Sequence, residues 1–175
     1  FLSFNIGVIF SSQAFFKNAN ITKVVIGNDI EIIGNYTFSS CTNLVSISFP
    51  ACTSIDYAAF SNCYKLESAY FPVCSVVERY TFTKCSSLSM ASFPSCTMIG
   101  SQAFYSCYNL LALYLMGSSV CSLLNINAFQ STPISNYTTS TGGVYGSIYV
   151  PASLLADYKT ATNWTFFSNR IFSAP

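Results

Sequence analysis

The chain is built on a repeat of 22 residues, and this period constrains the fold more than any other feature. Phenylalanine recurs at this spacing at Phe38, Phe60, Phe82 and Phe104. A cysteine follows each phenylalanine by three residues and a leucine follows it by six: Cys41, Cys63, Cys85 and Cys107, and Leu44, Leu66, Leu88 and Leu110. A fixed period of this length indicates a repeat architecture in which each unit is one supersecondary structure.

The repeat stretches at both ends of the array but keeps its pattern. Phe15 precedes Phe38 by 23 residues, and Phe129 follows Phe104 by 25, with the insertion between Leu115 and Cys121. The segment from Phe4 to Phe10 matches the tail of one further unit. We therefore predict about five units of 22–25 residues, the first of them partial, over residues 1–129.

Each unit fits the leucine-rich repeat pattern, as in Leu44-x-x-Ile47-x-Phe49-x-x-Cys52-x-x-Ile55. The segment around Ile47 is predicted to be a strand, in which Leu44, Ile47 and Phe49 point inward and Ser46 and Ser48 outward. One unit cannot bury its apolar side alone, so neighbouring units stack with parallel strands about 4.8 Å apart. The sequence predicts a mostly β solenoid of leucine-rich repeats wound in a right-handed coil.

The units also resemble the BspA-type leucine-rich repeat family. The resemblance lies in Ala59-Phe60-Ser61-Asn62-Cys63-Tyr64-Lys65-Leu66, in Phe71-Pro72 and in the Ala103-Phe104 type of closing element. Proteins of this family are bacterial or protozoan surface proteins, so the resemblance implies adhesion or ligand binding at the cell surface. The 22-residue unit is slightly short for the family, and its content of cysteine and tyrosine is unusual.

After the array the pattern lapses into Ser, Thr, Asn and Gly, and we predict a loop over residues 130–146. A last strand is expected at Ser147–Val150, and Pro151 then opens a short helix with Leu154, Leu155, Tyr158 and Ala161 on one side. Trp164, Phe167 and Ile171 supply further apolar anchors. Residues 147–175 are therefore predicted to form a strand–helix cap over the exposed end of the core.

Seven of the eight cysteines recur every 11 residues, which forms two columns about half a coil apart. Each thiol would then stack on its own equivalents rather than face a partner. Asn18 and Thr132 fill the first column at the ends of the array, and Ile30 fills the second. A site that accepts isoleucine is a buried site for a small side chain, which favours core thiols. A disulfide framework is the alternative.

Composition removes several classes of function. Only 7% of the residues are charged and the net charge is +1, so an electrostatic basis for binding nucleic acid is missing. The longest apolar run, Leu110–Met116, is far shorter than the roughly 18 residues of a membrane span. The sequence lacks histidine and Cys-x-x-Cys, so we expect no metal and no cofactor. Because it begins at Phe1, we interpret the chain as a fragment of a longer protein.

One pair of acidic residues has a geometric case for chemistry. Asp56 and Glu78 occupy equivalent positions 22 residues apart, and adjacent rungs would bring them within about 5 Å, close to the carboxyl separation of retaining glycosidases. Gly34 and Gly100 fill the same column in other repeats, which favours a solvated surface pair. A carbohydrate-active enzyme is therefore a remote alternative, and we expect no catalytic residue.

The outward residues of successive strands form the candidate binding surface. One outward column contains Val25, Ser48, Tyr70, Ser92 and Tyr114, and the neighbouring column contains Lys23, Ser46, Ser68, Met90 and Ala112. Tyrosine suits contacts with proteins or stacking on sugar rings, although strand propensity alone also explains it. Candidate ligand-binding residues are Val25, Ser48, Tyr70, Met90, Ser92 and Tyr114.

The sequence thus predicts a non-catalytic, secreted or cell-surface module whose partner is a protein or glycan of a host or neighbouring cell. A structural spacer or assembly element, in which the repeats only hold other domains at a distance, is the alternative.

Overall fold

The computed structural model describes residues 9–135 and 145–175. Within these ranges the chain forms thirteen short strands and one α-helix, α1 (Leu155–Thr160), together with 3-10 helices at Ile126–Phe129, Ala152–Leu154 and Trp164–Arg170. The strands are β1 (Ile9–Phe10), β2 (Lys23–Val25), β3 (Ile32–Ile33), β4 (Ser46–Ser48), β5 (Ser54–Ile55), β6 (Ser68–Tyr70), β7 (Val76–Val77), β8 (Met90–Ser92), β9 (Met98–Ile99), β10 (Ala112–Tyr114), β11 (Ser122–Leu123), β12 (Ser147–Val150) and β13 (Ile171–Ser173). Most of the loop predicted at 130–146 lies outside the described residues.

Each rung of the coil contributes one strand to each of two parallel sheet surfaces. Strands β1, β3, β5, β7, β9 and β11 form one sheet. The other surface consists of the pair β2–β4 and a five-stranded sheet in the order β6, β8, β10, β12, β13. We call this second surface the strand face. Ser68 pairs with Met90 across β6 and β8, one repeat apart. The predicted mostly β repeat solenoid with parallel strands is confirmed.

Two columns of stacked phenylalanines fill the interior. The first column contains Phe15, Phe38, Phe60, Phe82, Phe104 and Phe129, whose neighbouring ring centroids lie 5.1–5.6 Å apart at interplanar angles of 1–10°. The second column contains Phe49, Phe71 and Phe93, with spacings of 6.0 and 5.7 Å. Rings of different columns meet at an angle, as Phe82 and Phe93 do at 55°. Equivalent residues therefore repeat one side-chain packing from rung to rung.

All eight cysteines are buried free thiols, as the core-thiol interpretation predicts. In the first column each thiol donates to a phenylalanine carbonyl of the preceding rung, as Cys63 does to Phe38 at 3.1 Å. Thr132 stands in this column at the end of the array and donates to the Phe129 carbonyl at 2.7 Å. A small side chain that is apolar in bulk but can donate a hydrogen bond therefore suits this site.

The third wall of each rung is a tight turn that holds two non-glycine residues at positive φ. Examples are Tyr36 and Ser40, with φ of 56° and 61°, and the pattern recurs in the following rungs. Left-handed backbone is unfavourable for residues with a side chain. Hydrogen bonds between rungs hold it here, as from the Phe38 N–H to the Ala59 carbonyl at 2.8 Å. This pattern was not predicted, because these positions carry no glycine.

The cap covers the last ring of the first phenylalanine column. Trp164 and Phe167, both fully buried, lie 6.0 and 5.3 Å from the Phe129 ring. The Cys121 N–H donates to the Tyr158 hydroxyl at 2.9 Å, and the Trp164 indole N–H donates to the Cys121 carbonyl at 2.6 Å. The predicted strand–helix cap is confirmed. It adds one strand that was not predicted, β13, parallel to β12.

We expect Phe82→Ala to lower the free energy of unfolding by about 3–5 kcal/mol, because it leaves a void between two stacked rings. Phe60 and Phe104 each lie 5.4 Å from the Phe82 ring. Chemical denaturation measures the change. The control is Tyr64→Ala, at an exposed site, where the cost should stay within about 0.5 kcal/mol. Equal costs at the two sites would contradict the stacked core.

The buried thiols should make the protein less stable at alkaline pH. Burial raises the pKa of both Cys41 and Cys52 from 9.0 to about 12. The unfolded chain therefore loses protons above pH 9 while the folded chain keeps them, so the free energy of unfolding falls as pH rises from 9 to 12. Urea unfolding across this range measures the slope. Replacing both cysteines by alanine should make it shallower, and an unchanged slope would contradict the assignment.

Candidate functional site on the strand face

The strand face holds the predicted ligand-binding residues in the expected columns. Tyr70 pairs with Ser92 and Ser92 with Tyr114, so these three side chains share one column. Val25 pairs with Ser48 on the separate pair β2–β4. The column is therefore interrupted between β4 and β6, where the described strands belong to different sheets.

Exposure differs along these residues. The side chain of Tyr70 is 56% exposed and that of Met90 is 41% exposed, whereas Ser92 and Tyr114 are half-buried. Met90 pairs with Ser68 and Ala112 in the neighbouring column. A protruding tyrosine and a protruding methionine thus lie on adjacent strands, with small residues around them.

The cap extends the same column with two aromatic residues that were not predicted. Tyr149 pairs with Tyr114, and the two rings stack with centroids 4.9 Å apart. Phe172 pairs with Tyr149 and is 47% exposed. These residues lie outside the 22-residue period. The alternation in Ser147–Val150 was the only signal for Tyr149, since Ile148 and Val150 are buried there.

We call Tyr70, Tyr114, Tyr149 and Phe172 the aromatic column. It occupies the part of the strand face nearest the cap, whereas Val25 and Ser48 hold the equivalent positions nearest the start of the chain. The face therefore changes along its length from aliphatic and hydroxyl side chains to aromatic rings.

An arginine lies beside this end of the sheet. The guanidinium carbon of Arg170, the residue before β13, is 3.8 Å from the centroid of the Tyr145 ring. Its Nε is buried and has no hydrogen-bond partner in the described part of the chain. A guanidinium on a tyrosine ring is a cation–π contact that holds the side chain in place.

A second aromatic surface lies on the turn wall of the coil. Phe16, Tyr36, Tyr57 and Tyr80 form an edge-to-face ladder with centroid distances of 6.4, 5.2 and 5.4 Å. A hydrogen bond between the phenols of Tyr36 and Tyr57 raises the pKa of Tyr57. The spacings between these tyrosines are 21 and 23 residues, so a search at the repeat period missed them.

The acidic pair makes local contacts. The Asp56 carboxylate accepts a hydrogen bond from the Ser54 hydroxyl at 3.2 Å, and the Glu78 carboxylate accepts one from the Arg79 N–H at 3.3 Å. Rungs pack closely here, since a Cβ at Gly100 would lie 2.6 Å from the Arg79 nitrogen. Within residues 9–135 and 145–175, no group of three His, Cys, Asp or Glu side chains could hold a metal ion.

A cavity of about 470 Å³ lies between the last rung and the cap, away from the strand face. Its lining includes Cys121, Leu123, Leu124, Asn163 and Trp164. Asp56 and Glu78 do not line it. In the described part of the chain, no helix has the length and apolar composition that crossing a bilayer requires.

The stacked pair Tyr114–Tyr149 should be coupled even without a ligand. In a double-mutant cycle with Tyr114→Ala and Tyr149→Ala, we expect a coupling free energy of about 0.5–1.5 kcal/mol in urea unfolding. Tyr70 and Tyr149 lie three strands apart, so a cycle between them serves as the control and should give coupling near zero. Equal coupling in both cycles would contradict the stacked pair.

Solved structures of leucine-rich repeat proteins resemble this fold. A Treponema pallidum leucine-rich repeat protein, TpLRR, is 28% identical with a TM-score of 0.59, and the match covers 62% of this chain and 52% of that one. The pneumococcal vaccine antigen PcpA is 15% identical with a TM-score of 0.67, over 96% of this chain and 42% of that one. A leucine-rich cell surface protein of Faecalibacterium prausnitzii is 17% identical with a TM-score of 0.48, over 82% and 52%.

The chain spans about half, or less, of the length of these three proteins. No curated protein matches its sequence. The family model for the BspA type leucine-rich repeat region matches residues 9–135 in six copies, which is most of the chain. The chain belongs to the BspA-type leucine-rich repeat family.

Proposed function

We propose that this protein is a non-catalytic binding module, secreted or at the cell surface, that holds a protein or glycan on its strand face. The aromatic column carries this proposal. Tyr70 and Phe172 expose about half of their side-chain surface, although the sequence places many other phenylalanines in the core. Aromatic side chains presented on a rigid sheet contribute a large contact area at a low entropy cost.

The neighbours of the aromatic column suit a neutral ligand. Ser68, Ser92 and Ser147 lie on the paired strands and supply hydroxyl groups that donate and accept hydrogen bonds. Only 7% of the whole chain is charged. Recognition then depends on shape, ring stacking and hydrogen bonds, which are the interactions that sugars and polar protein surfaces offer.

Family membership supports a location outside the cell and a role without chemistry. BspA-type proteins resemble one another through a repeated scaffold rather than through a catalytic motif, and this sequence contains no histidine. The acidic pair Asp56 and Glu78 engages its own neighbours and lies away from the cavity. The partner is a surface protein or glycan of a host or neighbouring cell.

A structural spacer is the second candidate, and the continuous phenylalanine column favours it. Stacked rungs that share one core make a stiff rod, which could hold flanking domains at a fixed distance. This function needs no ligand on the strand face, so a binding experiment separates the two candidates.

Glycan and protein arrays probed with the wild-type chain test the proposal. For a partner found there, Tyr70→Ser/Tyr114→Ser should weaken binding at least tenfold while the thermal unfolding midpoint changes little. The matched control is Tyr64→Ser/Tyr108→Ser, which removes two exposed tyrosines off the strand face and should bind normally. Equal affinity of both variants would exclude the strand face, and silence of the wild-type chain on both arrays would favour the spacer.

A further inference from the structure

The eighth cysteine departs from the ladder that the other cysteines follow. In the second column, Cys52, Cys74 and Cys96 each precede a short strand by two residues. Cys121 precedes β11 by only one residue, because the insertion before it shifts the chain. Its thiol therefore cannot occupy the same place in its rung as the other three.

The shift changes the hydrogen bond that the thiol makes. Cys52 donates to the carbonyl two residues further along, Ser54, at 3.2 Å. The carbonyl in that relation to Cys121 belongs to Leu123, and it accepts from the Asn163 side chain instead. The Cys121 thiol lies 3.4 Å from the Cys96 sulfur and donates to it. Two thiols of adjacent rungs are therefore in direct contact.

This pair is also the most approachable of the eight cysteines. Cys96 is 3% exposed, whereas the other seven side chains are fully buried. The 470 Å³ cavity between the last rung and the cap is lined in part by Cys121, and it is large enough for a molecule little bigger than water. The hydrogen bond from Cys121 also lowers the pKa of the Cys96 thiol, which favours its thiolate.

We propose that Cys96 and Cys121 form an oxidisable pair that closes to a disulfide when a small peroxide enters, while the six remaining cysteines stay as thiols. The two sulfurs need only move from 3.4 Å to the roughly 2.0 Å of a disulfide bond. Each of the other six thiols donates to a carbonyl at 3.0–3.3 Å or less exposed surroundings of the core, as Cys63 and Cys74 do.

The chemistry balances with hydrogen peroxide as the oxidant. The Cys96 thiolate attacks one peroxide oxygen, the O–O bond breaks, and a sulfenic acid forms as the released hydroxide takes a proton to become water. The Cys121 sulfur then attacks the Cys96 sulfur, the S–O bond breaks, and the departing hydroxide takes the Cys121 proton. Two thiols and one peroxide thus give one disulfide and two waters, with two electrons passing to the peroxide.

The disulfide would fasten the cap to the array. Cys121 holds the cap through its backbone, which contacts the Tyr158 hydroxyl and the Trp164 indole. A covalent bond from this residue to the preceding rung restricts the unfolded chain and prevents the last rung from separating. Oxidation should therefore raise the midpoint of thermal unfolding by roughly 5–10 °C.

Peroxide treatment of the fully reduced chain, followed by alkylation under denaturing conditions and mass spectrometry, tests the proposal. We expect the loss of two hydrogen atoms, six alkylated cysteines, and full reversal by a dithiol reductant. Chymotrypsin cleaves after Phe104 and Tyr114 and so separates Cys96 from Cys121. The expected product is one cross-linked peptide pair that contains these two residues.

Matched variants separate this pair from the regular ladder. Cys121→Ser and Cys96→Ser should each abolish the cross-link and the thermal shift, whereas Cys52→Ser should keep both. A cross-link between other cysteines, oxidation to sulfinic acid without a cross-link, or no oxidation would each overturn the proposal. The peptide map of the wild-type chain decides between these outcomes even if a serine variant fails to fold.

Discussion

Stacking of equivalent residues on adjacent rungs is the interaction on which the rest of this structure depends. Each interior phenylalanine lies between its own equivalents, and the backbone N–H of one turn donates to a carbonyl of the next. The same contacts recur at every rung, so each rung is completed only by its neighbours. The positive φ angles of the turns persist because these contacts hold them.

The same constraint explains the scarcity of charge. Any column of a solenoid places like residues about 5 Å apart, and repeated charges at that distance repel one another. Serine, threonine and cysteine avoid this repulsion and still donate to nearby carbonyls, as Cys63 and Thr132 do. Asp56 and Glu78 are like charges in one column, and glycine occupies that column at Gly34 and Gly100.

The features with a chemical or binding role lie where the repeat ends or shifts. The insertion before Cys121 moves its thiol onto Cys96, and the cap adds Tyr149 and Phe172 to the column that starts with repeat residues. Regular rungs satisfy every neighbour in the same way and leave little unmatched. An irregular rung must find different partners, and those partners distinguish this chain from a generic array.

The sequence by itself determined the repeat, the strand positions, the inward and outward columns and the buried thiols, because each follows from a fixed period and its apolar pattern. It also placed Tyr70 and Tyr114 in one column. Only the tertiary structure decided the break between β4 and β6, the tyrosine ladder of the turn wall, the strand β13 and the contact between Cys96 and Cys121. These depend on how rungs of unequal length settle against one another, which a period cannot specify.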